Sequence, residues 1–172
     1  MKRKSFLLIG MALLFSMATM AQRFALIDME YILSNIPSYE MTNEQLSQLS
    51  KKWQSEIDAL QQEAQNMYKS FQSDLVFLSA EMQSKRQEDI VKKEQEAMEL
   101  KRQYFGADGE LFQKRSSLMK PIQDEIYEAV KEIALDKQYA LVVDRASAMS
   151  IMFASPQIDI SNEVLVKLGY AR

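Results

Sequence analysis

The middle of the chain carries one long helical pattern. Between Pro37 and Gly106 lie 68 residues without glycine or proline, rich in Gln, Glu, Lys, Ser and Met, a composition that favours helix. Thr42 is the predicted N-cap, and Met41 is expected to pack on Leu46 as a hydrophobic staple. Apolar residues then recur every three or four positions with a period of 3.6, which predicts an amphipathic helix that buries one stripe. They are Leu46, Leu49, Trp53, Ile57, Leu60, Ala64, Met67, Phe71, Leu75, Leu78 and Met82.

A second helical stretch follows and is expected to return alongside the first. If strands near residues 28 and 139 share one sheet, the first helix leaves that sheet and the second returns to it. The turn between the two helices is then expected halfway along the helical region, near Lys85. The alternative is a single extended helix. Gly106 and Gly109 interrupt the returning helix, Asp108 is the predicted cap of its second half, and the two glycines are the predicted hinge.

Short apolar runs outside this region predict strands at 24–28, 139–143 and 150–154. Ser161 to Leu168, followed by Gly169, predicts a short capped helix. The predicted fold class is α+β and mostly helical. A long antiparallel α-helical hairpin (the arm, 38–137) stands on a small β-strand body (22–37 and 138–172), and together they form one domain over 22–172.

The first residues are typical of a secretory signal peptide over 1–21. Lys2, Arg3 and Lys4 precede an apolar stretch at 6–15, which is shorter than the ~20 residues a membrane span needs, and cleavage is expected after Ala21. Removal of the leader leaves 18 basic and 24 acidic residues, a net charge of −6. This acidic balance argues against nucleic-acid binding.

The composition also limits the chemistry. The chain has no histidine and no cysteine, which argues against the usual zinc sites, serine or cysteine triads and iron–sulfur clusters, and it has no phosphate-binding glycine loop. We therefore expect no enzyme activity, no cofactor and no metal. Asp28 and Asp144 each follow an apolar run, and we interpret them as caps or as partners of Arg145 rather than as catalytic acids.

Several apolar residues lie off the helical stripe. In one interpretation they only broaden the packed surface. In the other they form an exposed lining, rich in methionine and aromatic groups, that binds nonpolar segments of other proteins. The candidate binding residues are Tyr68, Val76, Phe77, Met98, Phe105 and Phe112.

The order of motifs resembles the Skp/OmpH family of periplasmic chaperones. The resemblance lies in the leader, F-A-L-I-D at 24–28, the hairpin, Y-A-L-V-V-D at 139–144 and D-I-S-N-E-V at 159–164. It implies a homotrimer whose strands form a central body and whose three arms enclose a cavity. It also implies ATP-independent holding of unfolded outer-membrane β-barrel proteins in the periplasm.

An alternative from another class is a non-enzymatic coiled-coil scaffold of the cell envelope, which would need only rods with a polar exterior. The best-known family members are basic, whereas this mature chain is acidic. For that reason no membrane-binding or lipopolysaccharide-binding residues are carried over from the family.

Overall fold

The computed structural model describes residues 23–147 and 151–170. The predicted signal peptide and Ser150 lie outside this range. The elements are β1 (Arg23–Ile27), α1 (Met29–Ser34), α2 (Pro37–Asp74), α3 (Ala80–Phe105), α4 (Glu110–Asp136), β2 (Tyr139–Asp144) and α5 (Ser161–Leu168), with 3₁₀ turns at Leu75–Phe77 and Pro156–Ile158. The predicted fold class is confirmed, because α2 pairs with α3 and α4 as a long arm on a small body.

Helix α2 begins at Pro37, five residues before the predicted cap. Proline suits the first turn of a helix because its φ is already helical and the missing N–H would have no partner there. The predicted start at Thr42 is therefore wrong. Thr42 is buried within the helix, and Met41, the expected staple, is exposed.

The arm turns at residues 75–79. Helix α2 ends at Asp74, a single 3₁₀ turn follows, and Ser79 caps α3 by accepting a hydrogen bond from the Met82 N–H at 3.3 Å. Arg86 Nη1 lies 3.1 Å from Asp74 Oδ2 and ties the two limbs together just below the turn. The predicted turn near Lys85 is wrong, since Lys85 lies inside α3.

The turn is displaced because the returning limb is longer than the outgoing one. Lys93 Nζ lies 3.4 Å from Glu63 Oε2, and the ring of Trp53 stacks on that of Tyr104, so the pairing is centred near residue 78. Helix α4 then continues past the base of the arm and packs under the sheet through residues such as Ile126. A turn at the midpoint, near Lys85, would require both limbs to stop at the edge of the body.

The sheet has two parallel strands, with Phe24 opposite Leu141 and Ile27 opposite Asp144. Parallel neighbours need a long crossover, and here the whole arm provides it. The prediction of a third strand at 150–154 is wrong for the described residues 151–154, which form no strand. On its second edge β1 contacts the chain before α5 at one point, where Ile160 N–H donates to the Leu26 carbonyl at 2.9 Å.

The core of the body lies between the sheet, α1, α4 and α5. Its buried members are Ala25, Ile27, Ile32, Ile36, Ile122, Ile126, Ala129, Ile133, Ile160, Val164 and Leu165. The short helix predicted at the end is confirmed. It stops at Gly169, whose φ of 82° is left-handed and favours glycine.

Candidate functional site

The seam of the arm is closed by its own packing. Ile57, Ala64, Ile90 and Ala97 are buried where the limbs face each other. Near the base side of this seam, the rings of Trp53 and Tyr104 stack with centroids 4.5 Å apart. These contacts hold the two limbs together and leave the other faces of the arm to solvent.

Phe105 belongs to this packed cluster. Its ring meets Trp53 edge-on at 6.4 Å, and the side chain is half-buried. The hydroxyl of Tyr104 donates to Glu56 Oε2 at 2.8 Å, and this hydrogen bond raises the pKa of Tyr104. Phe105 is therefore partly covered, because it ends α3 directly beside the only tryptophan of the chain, and its role in binding stays a prediction.

The other five candidate residues point outward. Val76 and Phe77 are 83% and 85% exposed, because a single 3₁₀ turn at the end of the arm has few neighbours to cover them. Met98, Phe112 and Tyr68 are each exposed by more than half. These side chains do not broaden the packed stripe in the chain as described.

The exposed apolar residues form two patches. The tip patch consists of Leu75, Val76, Phe77 and Met82, all exposed. Leu75 and Met82 were predicted to lie in the buried seam, but the limbs end at this level and offer them no facing helix. The tip patch therefore lies at the turn of the arm, with Val76 and Phe77 almost fully exposed and Leu75 and Met82 about half exposed.

The second patch, the flank stripe, consists of Val91, Met98, Phe105 and Phe112, with Phe105 half-buried between exposed neighbours. Seven residues make almost two helical turns, so Val91, Met98 and Phe105 share one face of α3. Phe112 lies beyond the glycine break, in the first turn of α4. Val91 was not among the binding residues predicted from the sequence. The seven-residue spacing from Met98 was the signal that could have identified it.

The glycine break divides the flank stripe. Helix α3 ends at Phe105, and Gly109 is the N-cap of α4, so the predicted cap at Asp108 is wrong. A Cβ on Gly109 would lie 2.8 Å from both Gly106 N and Tyr104 O, and one on Gly106 would collide with the Arg102 carbonyl. Close backbone approach therefore explains both glycines, and their role as a hinge stays a prediction.

The acidic residues at the strand ends are structural. Asp28 accepts a hydrogen bond from the Tyr31 N–H at 2.9 Å and pairs with Arg145. The pKa of Asp28 is lowered, first by the Tyr31 N–H and then by the Arg145 guanidinium. Asp144 Oδ1 accepts from Met29 N–H at 3.1 Å. Asp28 is therefore both a cap and a partner of Arg145, as expected, whereas Asp144 accepts only backbone hydrogen bonds and has no salt bridge among the described residues.

Two features are absent from residues 23–147 and 151–170. No group of three or more acidic, histidine or cysteine side chains there could hold a metal ion. None of the helices in that part of the chain has the length and nonpolar character needed to cross a bilayer.

The class of protein defined here is a mostly helical α+β protein with a long hairpin arm, a closed helical seam, exposed apolar patches and a small strand body. The chain belongs to the family described as outer membrane protein (OmpH-like), whose model matches residues 23–168. The predicted resemblance to the Skp/OmpH family is confirmed.

Similar proteins extend this finding. The chain is 28% identical over 159 residues to the chaperone protein Skp of Yersinia enterocolitica, covering 91% of this chain and 92% of the relative. It is 26% identical over 147 residues to Skp of Pectobacterium atrosepticum, covering 84% of each. A crystal structure described as an OmpH-like outer membrane chaperone from Caulobacter crescentus matches with a TM-score of 0.68 and 11% identity, over 84% of this chain and 82% of that one. At that identity the match shows the shared fold alone.

Proposed function

We propose that this protein is an ATP-independent holdase chaperone that binds unfolded outer-membrane β-barrel proteins in the periplasm and prevents their aggregation. Membership of the OmpH-like family and the relatives named chaperone protein Skp support the proposal. The observation that carries it is the exposure of apolar side chains on an arm whose own seam is already closed, with Phe77 at the tip as the clearest case. A scaffold rod would have no need of these patches.

The physical basis is burial of nonpolar surface. An unfolded barrel strand alternates apolar and polar residues, so its lipid-facing side is exposed to water until it inserts. Each ~100 Å² of apolar area removed from water contributes about 2.5 kcal/mol, so several weak contacts can hold a client that stays disordered. Methionine adapts to different shapes, which suits binding without one fixed complementary surface.

The assembly and location belong to the same proposal. Among the described residues, β2 has a strand partner only on its β1 side, and Leu141 on β2 is half-exposed. Pairing of such edges between copies would satisfy their backbone groups, which supports oligomerisation, and the resemblance to the Skp/OmpH family supports a homotrimer with three arms. The predicted signal peptide supports export to the periplasm, and the acidic mature chain gives no support to a lipopolysaccharide site.

The test is an aggregation assay with the mature protein. An unfolded β-barrel protein is diluted from urea, and light scattering is followed with increasing chaperone, without nucleotide. The triple variant Val76→Ser, Phe77→Ser, Met98→Ser should require much more protein for the same suppression. The matched control is Tyr127→Ser, which removes an exposed aromatic side chain from α4 outside both patches.

Native mass measurement of each variant, alone and with client, accompanies the assay. Three copies with one client in the wild type agree with the proposal. Equal suppression by the triple variant and the wild type would remove the patches from the binding site. A wild type that fails to suppress aggregation would refute the holdase function and favour the scaffold.

A further inference from the structure

The sulfur chemistry of this chain lies entirely in methionine, because the sequence contains twelve methionines and no cysteine. Four of the methionines in the described residues have exposed side chains: Met41, Met82, Met98 and Met152. Two of these occupy the apolar patches, one in each. Met82 is 51% exposed in the tip patch, and Met98 is 63% exposed in the flank stripe.

The thioether of an exposed methionine is a known target of two-electron oxidants. With hydrogen peroxide, the O–O bond breaks, one oxygen forms an S–O bond, the sulfur loses two electrons and the peroxide leaves as water. A methionine sulfoxide reductase reverses the step, taking two electrons and two protons from dithiols and releasing the oxygen as water. The product is polar, whereas the starting side chain is not.

We propose that Met82 and Met98 form an oxidation-sensitive site that reversibly weakens client binding by the arm. The proposal rests on the holdase function proposed above. Burial of a sulfoxide against a nonpolar client segment would remove its oxygen from water without providing a hydrogen-bond donor, which is unfavourable. Each patch would therefore lose a nonpolar contact and gain a group that opposes burial.

The positions of the two residues concentrate the effect on the patches. Met98 lies between Val91 and Phe105 at seven-residue intervals on one face of α3, so its oxidation would interrupt the middle of the flank stripe. Met82 lies in the first turn of α3, next to the exposed turn that carries Phe77. Neither side chain is among the buried residues of the arm seam, so we expect oxidation to leave the hairpin folded.

Two exposed methionines outside the patches serve as controls. Met41 is 56% exposed on α2 and Met152 is 98% exposed after β2, and both lie outside the two patches. By exposure, Met152 should be oxidised more readily than Met82 and Met98, and Met41 to a degree between those two. If exposure alone mattered, these two would contribute equally to any loss of activity.

The experiment compares the mature wild type with two double variants, Met82→Leu/Met98→Leu and Met41→Leu/Met152→Leu. Each is treated with hydrogen peroxide, the oxidised sites are read by peptide mass spectrometry, and aggregation suppression is measured before and after. Leucine keeps similar volume and apolar character and does not oxidise. Each protein is compared with its own untreated sample.

We expect oxidised wild type and Met41→Leu/Met152→Leu to need about tenfold more protein for half-maximal suppression, a factor that corresponds to ~1.4 kcal/mol. Met82→Leu/Met98→Leu should change less than twofold, and reductase with a dithiol should restore the wild type. Three results would each contradict the proposed oxidation-sensitive site. They are equal losses of suppression in both double variants, no loss of suppression in the wild type, and loss of the helical circular dichroism signal on oxidation. Failure of the untreated wild type to suppress aggregation would instead refute the holdase function itself.

Discussion

Truncation of Ile126 tests whether α4 is anchored in the body as described. This side chain is fully buried in the core beneath the sheet. Ile126→Ala removes three carbons, each worth about 0.8 kcal/mol when buried, so transfer alone costs roughly 2.4 kcal/mol. A cavity that cannot collapse adds about 1 kcal/mol, because helices and strands enclose the site on several sides. The expected loss in the free energy of unfolding is therefore about 3.4 kcal/mol.

Ile57→Ala is the matched comparison. Ile57 is equally buried but lies in a seam of only two limbs, which can move together after truncation, so we expect a smaller loss of about 2.4–3 kcal/mol. Urea unfolding at one fixed protein concentration measures the free energy of unfolding of both variants, and far-UV circular dichroism follows the whole chain. Fluorescence of Trp53, the only tryptophan, reports on the arm.

The conservative change Ile126→Val should cost only about 0.5–1.5 kcal/mol. If Ile126→Ala lowers the free energy of unfolding by less than about 1 kcal/mol, α4 does not pack beneath the sheet as described. A larger loss for Ile57→Ala than for Ile126→Ala would also contradict the reasoning, since it would make the arm less able to relax than the body.

Two further predictions concern the glycine break and the strand-end carboxylate. Gly109→Ala should lower the free energy of unfolding by about 1–3 kcal/mol, because the added Cβ is overpacked against backbone atoms. It should also shift Trp53 emission, whereas Gly169→Ala, in the body, should leave that emission unchanged. Equal emission spectra for the two variants would contradict the close approach at Gly109. The lowered pKa of Asp28 means that its stabilising contribution is present above the ordinary value of 3.8 and is lost as pH falls through the lower folded value. Asp28→Asn, which can still cap α1, should therefore flatten the acid limb of a stability-versus-pH curve; identical curves for wild type and variant would refute this.

The exposed patches carry a risk of self-association, since contiguous apolar surface promotes aggregation. Net charge opposes this self-association. Removal of the predicted leader would leave a net charge of −6, so that separate assemblies repel one another while the patches remain available. An acidic chaperone can thus keep nonpolar contact residues in water, although the best-known members of the family are basic.

Much of the architecture could be read from periodicity. The 3.6-residue recurrence from Leu46 to Phe71 identifies the buried stripe of α2, because only residues facing the partner helix escape water. The apolar runs that begin at Phe24 and Tyr139 identify the two strands, and Gly169 marks the end of the last helix. These signals are local, and each depends on the side chains within a few turns of the chain.

The remaining features depended on how distant elements meet. The turn lies at residues 75–79 because α4 extends beneath the sheet, and no local pattern near Lys85 contains that information. Phe105 is packed because Trp53 of the opposite limb reaches it, whereas Met98, which was assigned to the same exposed set, faces solvent. Sequence alone determined which residues are nonpolar and the period at which they recur along the chain. Tertiary structure decided which of these residues are covered, because burial depends on the neighbours that the fold brings close.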